Sequence, residues 1–296
     1  MRLPQNLTRL STIAFITVLF SCGGGDKQVD ESASEAFDQA QSELKEQIEE
    51  VLYEIPPPSE IPYLLQATGA DFDENLINDE SKVDQYRTTE RVSSLNLGVY
   101  ATDMGYLSSY DKTQEAMNYL TTSKTLADHL GITGAFDVEL LKRFEDNLGS
   151  KDSLSAIIDE SMTKTDEYLK NDARNKIAAM VLTGSFIEGL YISTELVRTY
   201  PHDLPEDARN LILIPLVMVI LKQEKPLGDL IKLMESIDSD GSNSSLIEDL
   251  KDLQSSFEKL NINEQIRENR ADLVLNDEIL AEITTKVGDI RKDIIG

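Results

Sequence analysis

Two stretches of the chain place ionisable side chains in apolar surroundings. In SSLNLGVYATDMGYLSSY (residues 93–110), Asp103 has Tyr100 and Tyr106 about one helical turn away on either side. In NKIAAMVLTGSFIEGLYISTEL (residues 175–196), Glu188 and Glu195 are seven residues apart and therefore share one helix face. A carboxylate in such surroundings is costly unless it is paired or its pKa shifts upward. These five residues are therefore the candidate site.

Two interpretations of this candidate site remain open. In the first, the residues form a buried polar cluster, with Asp103 satisfied by tyrosine hydroxyls and the glutamates paired to Lys, Arg or Tyr on a neighbouring helix. In the second, they line a pocket that binds a cation or protonates a substrate. Glycines at 98, 105, 184 and 189 lie in the same two stretches. Because glycine inside a helix costs about 1 kcal/mol relative to alanine, they indicate the close approach of a neighbouring backbone or a ligand.

Other patterns that carry chemistry are weak or absent in the sequence. The two histidines form neither Glu-x-x-His nor His-Glu-x-x-His motifs, and no Gly-x-Ser-x-Gly nucleophile elbow occurs, although two histidines do not formally exclude Ser-His-Asp catalysis. The loop SIDSDGSNSSLI resembles a calcium loop, but Ser236 and Ile247 stand at the two end positions, where acidic ligands belong. We therefore expect no metal site, no cofactor and no catalytic residue, and the sequence favours a non-enzymatic protein without deciding the point.

The only cysteine, Cys22, follows a short apolar run. Arg2 and Arg9 precede residues 13–20, and that run is about half the roughly 20 apolar residues that a membrane span needs. The sequence Leu19-Phe20-Ser21-Cys22 resembles the lipobox of bacterial lipoproteins. This resemblance implies cleavage before Cys22 and acylation of its thiol. It predicts a signal peptide (1–21), an acylated cysteine with a flexible tether (22–32) and one helical domain (33–296).

The charge balance narrows the set of partners. The chain has 54 Asp and Glu against 28 Lys and Arg, a net charge of −26, and loss of residues 1–21 would remove two arginines and no acid. Nucleic-acid binding depends on basic side chains that neutralise phosphates, so we expect no nucleic-acid partner. The acidic composition also argues against a protein surface that lies flat on an anionic leaflet, where basic side chains would be expected. We expect the acyl chains on Cys22 to attach the protein to the membrane. The remaining partner, a protein or a small molecule, is unknown.

The spacing of apolar residues is three and four along nearly the whole chain, which predicts an all-α antiparallel bundle of about nine to eleven helices. One short strand is allowed at ADLVL, residues 271–275. Capping boxes are predicted at Asp111 with Gln114 and at Ser245 with Glu248, a kink at Pro215, and either a helix start or a second kink at Pro226. Helices are predicted at residues 33–55, 60–67, 81–109, 111–130, 136–148, 152–170, 172–199, 206–223, 226–237, 245–260 and 279–294.

Three further segments carry a resemblance beyond the lipobox. They are IPPPSEIPYLLQATGA (55–70), LNLGVYATDMGYLSSYDKTQEAMNYLTTSKTLADHLGI (95–132) and GSFIEGLYIST (184–194). Together with the lipobox they resemble a group of uncharacterised helical lipoproteins of Bacteroidetes-type bacteria. The resemblance implies a cell-envelope address and a single helical domain. We expect the lipid anchor to lie in the outer membrane, on a face that the sequence leaves open. The resemblance implies no activity and no site residues.

The expected function is a non-enzymatic helical domain that binds a partner or acts as a scaffold. Two alternatives stay open. A carrier of apolar small molecules would need a cavity near Val181 and Leu213, where the sequence has an excess of apolar side chains. A carboxylate-based envelope hydrolase would need at least two of the candidate acids in a cleft open to solvent.

Overall fold

The computed structural model describes four continuous parts of the chain, and all of them belong to one compact unit. Every regular element in these parts is helical and none is a strand, which confirms the all-α class. The helices predicted at 33–55, 60–67, 136–148 and 152–170 lie outside the described parts, as do Cys22 and the tether. The described residues are 71–132, 175–200, 205–268 and 276–296, with single positions at 66, 143, 147, 150, 153, 156, 157, 160, 270, 273 and 274.

The described chain begins with an irregular segment that contains two 3₁₀ helices, Glu74–Leu76 and Glu80–Tyr86. The α-helices are numbered here in chain order. They are α1 (Glu90–Ser109), α2 (Thr113–Leu130), α3 (Asn175–Thr199), α4 (Glu206–Leu221), α5 (Glu224–Ile237), α6 (Ser244–Lys259), α7 (Asn263–Arg267) and α8 (Glu278–Ile295).

Helices α1 and α3 form the centre of the described fold. They pack against each other, α2 covers α1, and α3 also contacts α4, α5 and α8, while α6 packs on α5 and α8. Every residue from Ser93 to Ser109 is buried. A Cβ atom on Gly98 would overlap the Val181 carbonyl oxygen, and one on Gly184 would overlap the Leu95 carbonyl oxygen. At these two positions glycine therefore permits direct contact between the backbones of α1 and α3.

Helix α3 is, by length and composition, apolar enough to cross a membrane. However, 94% of its apolar stretch is buried inside the protein. This agrees with the prediction of a central core helix, and its end at Thr199 is also confirmed. Its apolar character is explained by the helices packed around it.

The start of α1 differs from the prediction of one helix over residues 81–109. Residues 80–86 form a 3₁₀ helix instead, and α1 begins only at Glu90. Thr89 is extended, with φ −143° and ψ 157°, and its hydroxyl oxygen accepts a hydrogen bond from the Val92 amide at 3.2 Å. This side-chain cap ends the preceding segment and starts the new helix.

Both predicted capping boxes are wrong. Asp111 is left-handed, with φ 60°, and α2 begins two residues later at Thr113 without a side-chain cap. Helix α6 begins after Asn243, whose amide donates at 2.8 Å to the carboxylate of Asp238, at the end of α5. Asp238 thus holds the residue before α6, and α6 itself has no side-chain cap. The predicted end of α2 is confirmed, since Gly131 is left-handed with φ 69°.

The C-terminal half follows the predicted pattern closely. Pro215 lies inside α4, and Pro226 lies in the first turn of the separate helix α5, which ends at Ile237 as predicted. Apolar residues at helical spacing are buried in α6 (Leu246, Leu250, Leu253, Phe257, and Leu260 just after it) and in α8 (Ile283, Val287, Ile290, Ile294), whereas Ile279, which the sequence places on the same face of α8, is only partly buried.

The allowed strand at 271–275 is contradicted by the described residues within it. Leu273 and Val274 are helical, and their amides donate to the Arg270 carbonyl oxygen at 3.0 and 3.3 Å. These local hydrogen bonds use the donors that a strand would offer to a neighbouring strand.

Candidate functional site

The structure brings Asp103 and Glu188 together at the seam of α1 and α3, where both are 0% exposed. The sequence analysis missed their partner, Arg291 of α8. Its Nε donates to Glu188 Oε2 at 2.7 Å and its Nη2 donates to Glu188 Oε1 at 2.7 Å. The guanidinium carbon lies 4.1 Å from the centroid of the Tyr191 ring. Glu188 is therefore held by Arg291 in a two-pronged ion pair.

Arg291 keeps its charge in this buried position. Burial alone would lower the pKa of Arg291, but the charge and hydrogen bonds of Glu188 outweigh it and raise the pKa above its ordinary value. Its Nη2 also donates to the Leu76 carbonyl oxygen at 3.0 Å. The guanidinium thus joins α3, α8 and the irregular segment before α1.

Asp103 has a different environment. Its Oδ2 accepts a hydrogen bond from the Asn78 amide at 3.1 Å, whereas Oδ1 has no hydrogen-bond partner in the described part of the chain. Burial and the nearby Glu188 charge raise the pKa of Asp103 well above its ordinary value, and Arg291 and the Asn78 amide oppose this only in part. Asp103 therefore keeps its proton to higher pH than an exposed aspartate does.

The tyrosines that flank Asp103 in sequence do not satisfy it. The Tyr100 hydroxyl donates to the Asp79 carbonyl oxygen at 3.0 Å, and the Tyr106 hydroxyl oxygen accepts from the Asp73 amide at 3.1 Å. Burial raises the pKa of both phenols, so they stay neutral. The expectation that these hydroxyls bind Asp103 is wrong, because they reach the backbone of the segment before α1 instead.

Residues 71–89, called the strap here, are the shared partner of these side chains. Because the strap contains only short 3₁₀ helices, several of its buried backbone groups need partners from elsewhere in the fold. The strap also contributes a side chain of its own: the Tyr86 hydroxyl donates to the carbonyl oxygen of Ile295, at the end of α8, at 2.9 Å. Side chains of three helices bind the strap backbone. From α1, Tyr106 binds Asp73, Asp103 binds Asn78 and Tyr100 binds Asp79. Tyr119 of α2 also binds Asn78, and Arg291 of α8 binds Leu76.

Glu195 does not join this cluster. Its carboxylate pairs with Arg198 three residues later on the same helix, with Arg198 Nε 3.0 Å from Oε2. The Arg198 side chain is 61% exposed, so the pair lies at the surface. A spacing of seven residues on one helix was therefore insufficient to place Glu195 with Glu188.

Arg291 and Asn78 are the residues that sequence reasoning missed. For Arg291 a signal existed, because it is four residues after Val287 and three before Ile294, on the apolar face of a predicted helix. A positive charge on a buried helix face needs a buried acid as its partner, and Glu188 was already a candidate buried acid. For Asn78 the sequence offers no comparable signal, since the strap has no helical periodicity.

Two clefts on the described surface, formed by α4 and by the junction of α4 with α5, are open to solvent. One, of about 380 Å³, is lined on α4 by residues that include Leu211 and Pro215, and the other, of about 450 Å³, lies where α4 meets α5. Neither contains a candidate residue. Val181 and Leu213, 3% and 0% exposed, are core residues. Within the described ranges, no group of three or more His, Cys, Asp or Glu side chains is arranged to hold a metal ion.

No protein-family model, curated protein or solved structure matches this chain. The family resemblance described above therefore stays a prediction.

Proposed function

We propose that this protein is a lipid-anchored, non-enzymatic helical domain that binds a partner, or serves as a scaffold, at the cell envelope. The observation that supports a non-enzymatic role is that both buried acids, Glu188 and Asp103, are already bound to other parts of the fold. Glu188 is bound on both oxygens by Arg291, and Asp103 binds the strap. A carboxylate hydrolase needs acids that reach substrate and water, and both of these side chains are 0% exposed.

The proposed address rests on the sequence around Cys22. The protein would be cleaved after residue 21, acylated on Cys22 and tethered by residues 22–32 to the outer membrane, as a member of the helical lipoprotein group it resembles. We further propose that the whole domain, residues 33–296, completes a bundle of nine to eleven helices. Two or three acyl chains, at about 0.8 kcal/mol per buried methylene, suffice for stable anchoring.

The anchor is tested by Cys22→Ser, with Ser32→Ala as the matched control in the tether. The wild type and the control should partition into detergent and carry the mass of the acyl groups. Cys22→Ser should accumulate as a precursor that still has residues 1–21. Detergent partitioning of Cys22→Ser at the mature mass would contradict the lipid anchor.

The binding role is tested by native mass spectrometry of the protein purified from the envelope in mild detergent. We expect the mass of the acylated chain, alone or with a bound protein, and no small apolar molecule. A reproducible extra mass from an apolar small molecule would instead identify a carrier. Turnover of an envelope substrate with a bell-shaped pH profile, abolished by Glu188→Gln in folded protein, would identify a hydrolase.

A further inference from the structure

The strap is attached to the bundle mainly through polar side chains that are themselves buried. Its attachment differs from that of the helices, whose backbone groups are satisfied within each helix. Asn78 is the most enclosed point, at 1% exposure. Its amide donates to Asp103, and its carbonyl oxygen accepts from Tyr119 of α2 at 2.6 Å. The contact between Asp103 and Asn78 is therefore central to how the strap is held.

The Asn78 amide would bond an ionised Asp103 at least as well as a neutral one, so the charge state of Asp103 acts through burial: it decides how favourable the closed position of the carboxyl is. Glu188 of α3 and Arg291 of α8 already form a neutral ion pair beside it. An ionised Asp103 would add a second, uncompensated negative charge in a position that is closed to solvent. The other titratable groups that face Asp103 are phenols, namely Tyr86 of the strap, Tyr100 of α1 and Tyr119 of α2. None of them brings a second positive charge.

We propose that Asp103 is a proton-operated latch: the neutral acid holds residues 71–89 on α1, and loss of its proton releases them. In the neutral acid, Oδ2 accepts from the Asn78 amide and the proton sits on Oδ1, the oxygen that no described residue otherwise binds. Glu188, whose side chain is within hydrogen-bonding reach of Asp103, is the neighbouring acceptor for that proton. The latch rests on the geometry of the buried cluster and is independent of the lipid anchor and of any partner.

The direction of the pH effect follows from linkage. With the strap closed, burial and Glu188 hold the pKa of Asp103 above its ordinary value. When the strap lifts, water reaches the carboxyl, the effect of burial is lost, and the pKa of Asp103 falls toward its ordinary value. Between these two values the closed form binds one more proton than the open form, so the opening equilibrium increases with pH by up to about tenfold per unit. Above the raised pKa of Asp103, the opening equilibrium no longer changes with pH. The strap is thus tightest in acid and loosest toward alkaline pH.

The test is hydrogen exchange, followed by mass spectrometry, on the full protein in mild detergent between pH 5 and pH 8. Exchange rates are corrected for the intrinsic pH effect with an unstructured peptide. We expect protection of peptides from residues 72–89 to fall as pH rises in the wild type and in Asp207→Asn, which removes an exposed carboxylate. In Asp103→Asn, whose amide can replace the neutral acid, that protection should be independent of pH.

Two results would overturn the latch. One is the same pH dependence of strap protection in the wild type and in Asp103→Asn. The other is a parallel loss of protection in peptides from α6, because the opening would then be global rather than confined to the strap. A second measurement needs no folded variant: the carboxyl carbon of Asp103, followed by NMR in wild-type protein, should show a protonated acid at pH 5. An ionised carboxylate at pH 5 would equally overturn the proposal.

Discussion

The backbone contact between α1 and α3 yields a quantitative prediction. Gly98→Ala adds a methyl group to α1 where it meets the backbone of α3. The new Cβ would overlap the Val181 carbonyl oxygen and lie 2.6 Å from the Ser185 amide nitrogen. An ordinary contact begins at 3.4 Å, so the helices must separate locally by about 0.8 Å or more. Both neighbours are backbone atoms, which cannot rotate away as a side chain would.

The expected cost follows from two opposing effects. Overpacking a core costs about 1–3 kcal/mol, and sometimes more, whereas alanine is about 1 kcal/mol better than glycine inside a helix. Because the added methyl group would clash with backbone atoms at the centre of the fold, we expect the overpacking cost to be about 3 kcal/mol or more. The net loss for Gly98→Ala is then about 2–3 kcal/mol, and Gly184→Ala should behave alike. The double variant should lose less than the sum, because both changes open the same seam.

The assay is urea unfolding followed by far-ultraviolet circular dichroism, with Gly288→Ala as the matched control. Gly288 lies inside α8, and a Cβ there would meet no described atom within 4 Å. The same substitution should therefore stabilise the protein by about 0.5–1 kcal/mol. If Gly98→Ala were as stable as the wild type, or gained stability as Gly288→Ala does, the account of the seam would be refuted.

Three further substitutions test other parts of the account by the same unfolding assay. Tyr119→Phe leaves the buried Asn78 carbonyl oxygen without its 2.6 Å donor and should cost about 1–3 kcal/mol, so a neutral result would contradict the described attachment of the strap. Gly131→Ala meets no described atom within 4 Å but must adopt φ 69°, so it should cost about 1 kcal/mol through backbone strain alone; a gain would show that α2 ends differently. Glu195→Gln breaks a surface pair and should change stability by less than about 1 kcal/mol, whereas a larger loss would place Glu195 in the core.

The helices of this protein were predictable where apolar residues recur every three or four positions along one helix face. Leu246, Leu250, Leu253 and Phe257 are spaced for a helix and are all buried. The glycines at 98 and 184 likewise indicated a close approach, which the structure shows to be backbone on backbone. In these cases the relevant physics lies within a few residues of sequence, so the pattern alone suffices.

The strap and the partners of the acids were not predictable in the same way. Asp103 and Asn78 are 25 residues apart, and Glu188 and Arg291 are 103 apart. Nothing in local periodicity specifies which distant groups meet. The two capping boxes failed for a related reason: Asp238 supplies the hydrogen bonds before α6 from outside the expected motif, and Asp111 takes a turn conformation.

The central claim is that Glu188, the best-placed candidate acid, serves the fold through Arg291. A double-mutant cycle of Glu188→Gln and Arg291→Met in urea unfolding tests it most directly. Each single change should cost about 3–5 kcal/mol, because it leaves one buried group without its partner. The double variant should lose at least about 2 kcal/mol less than the sum of the two. Additive losses, with no coupling between the two residues, would contradict the claim.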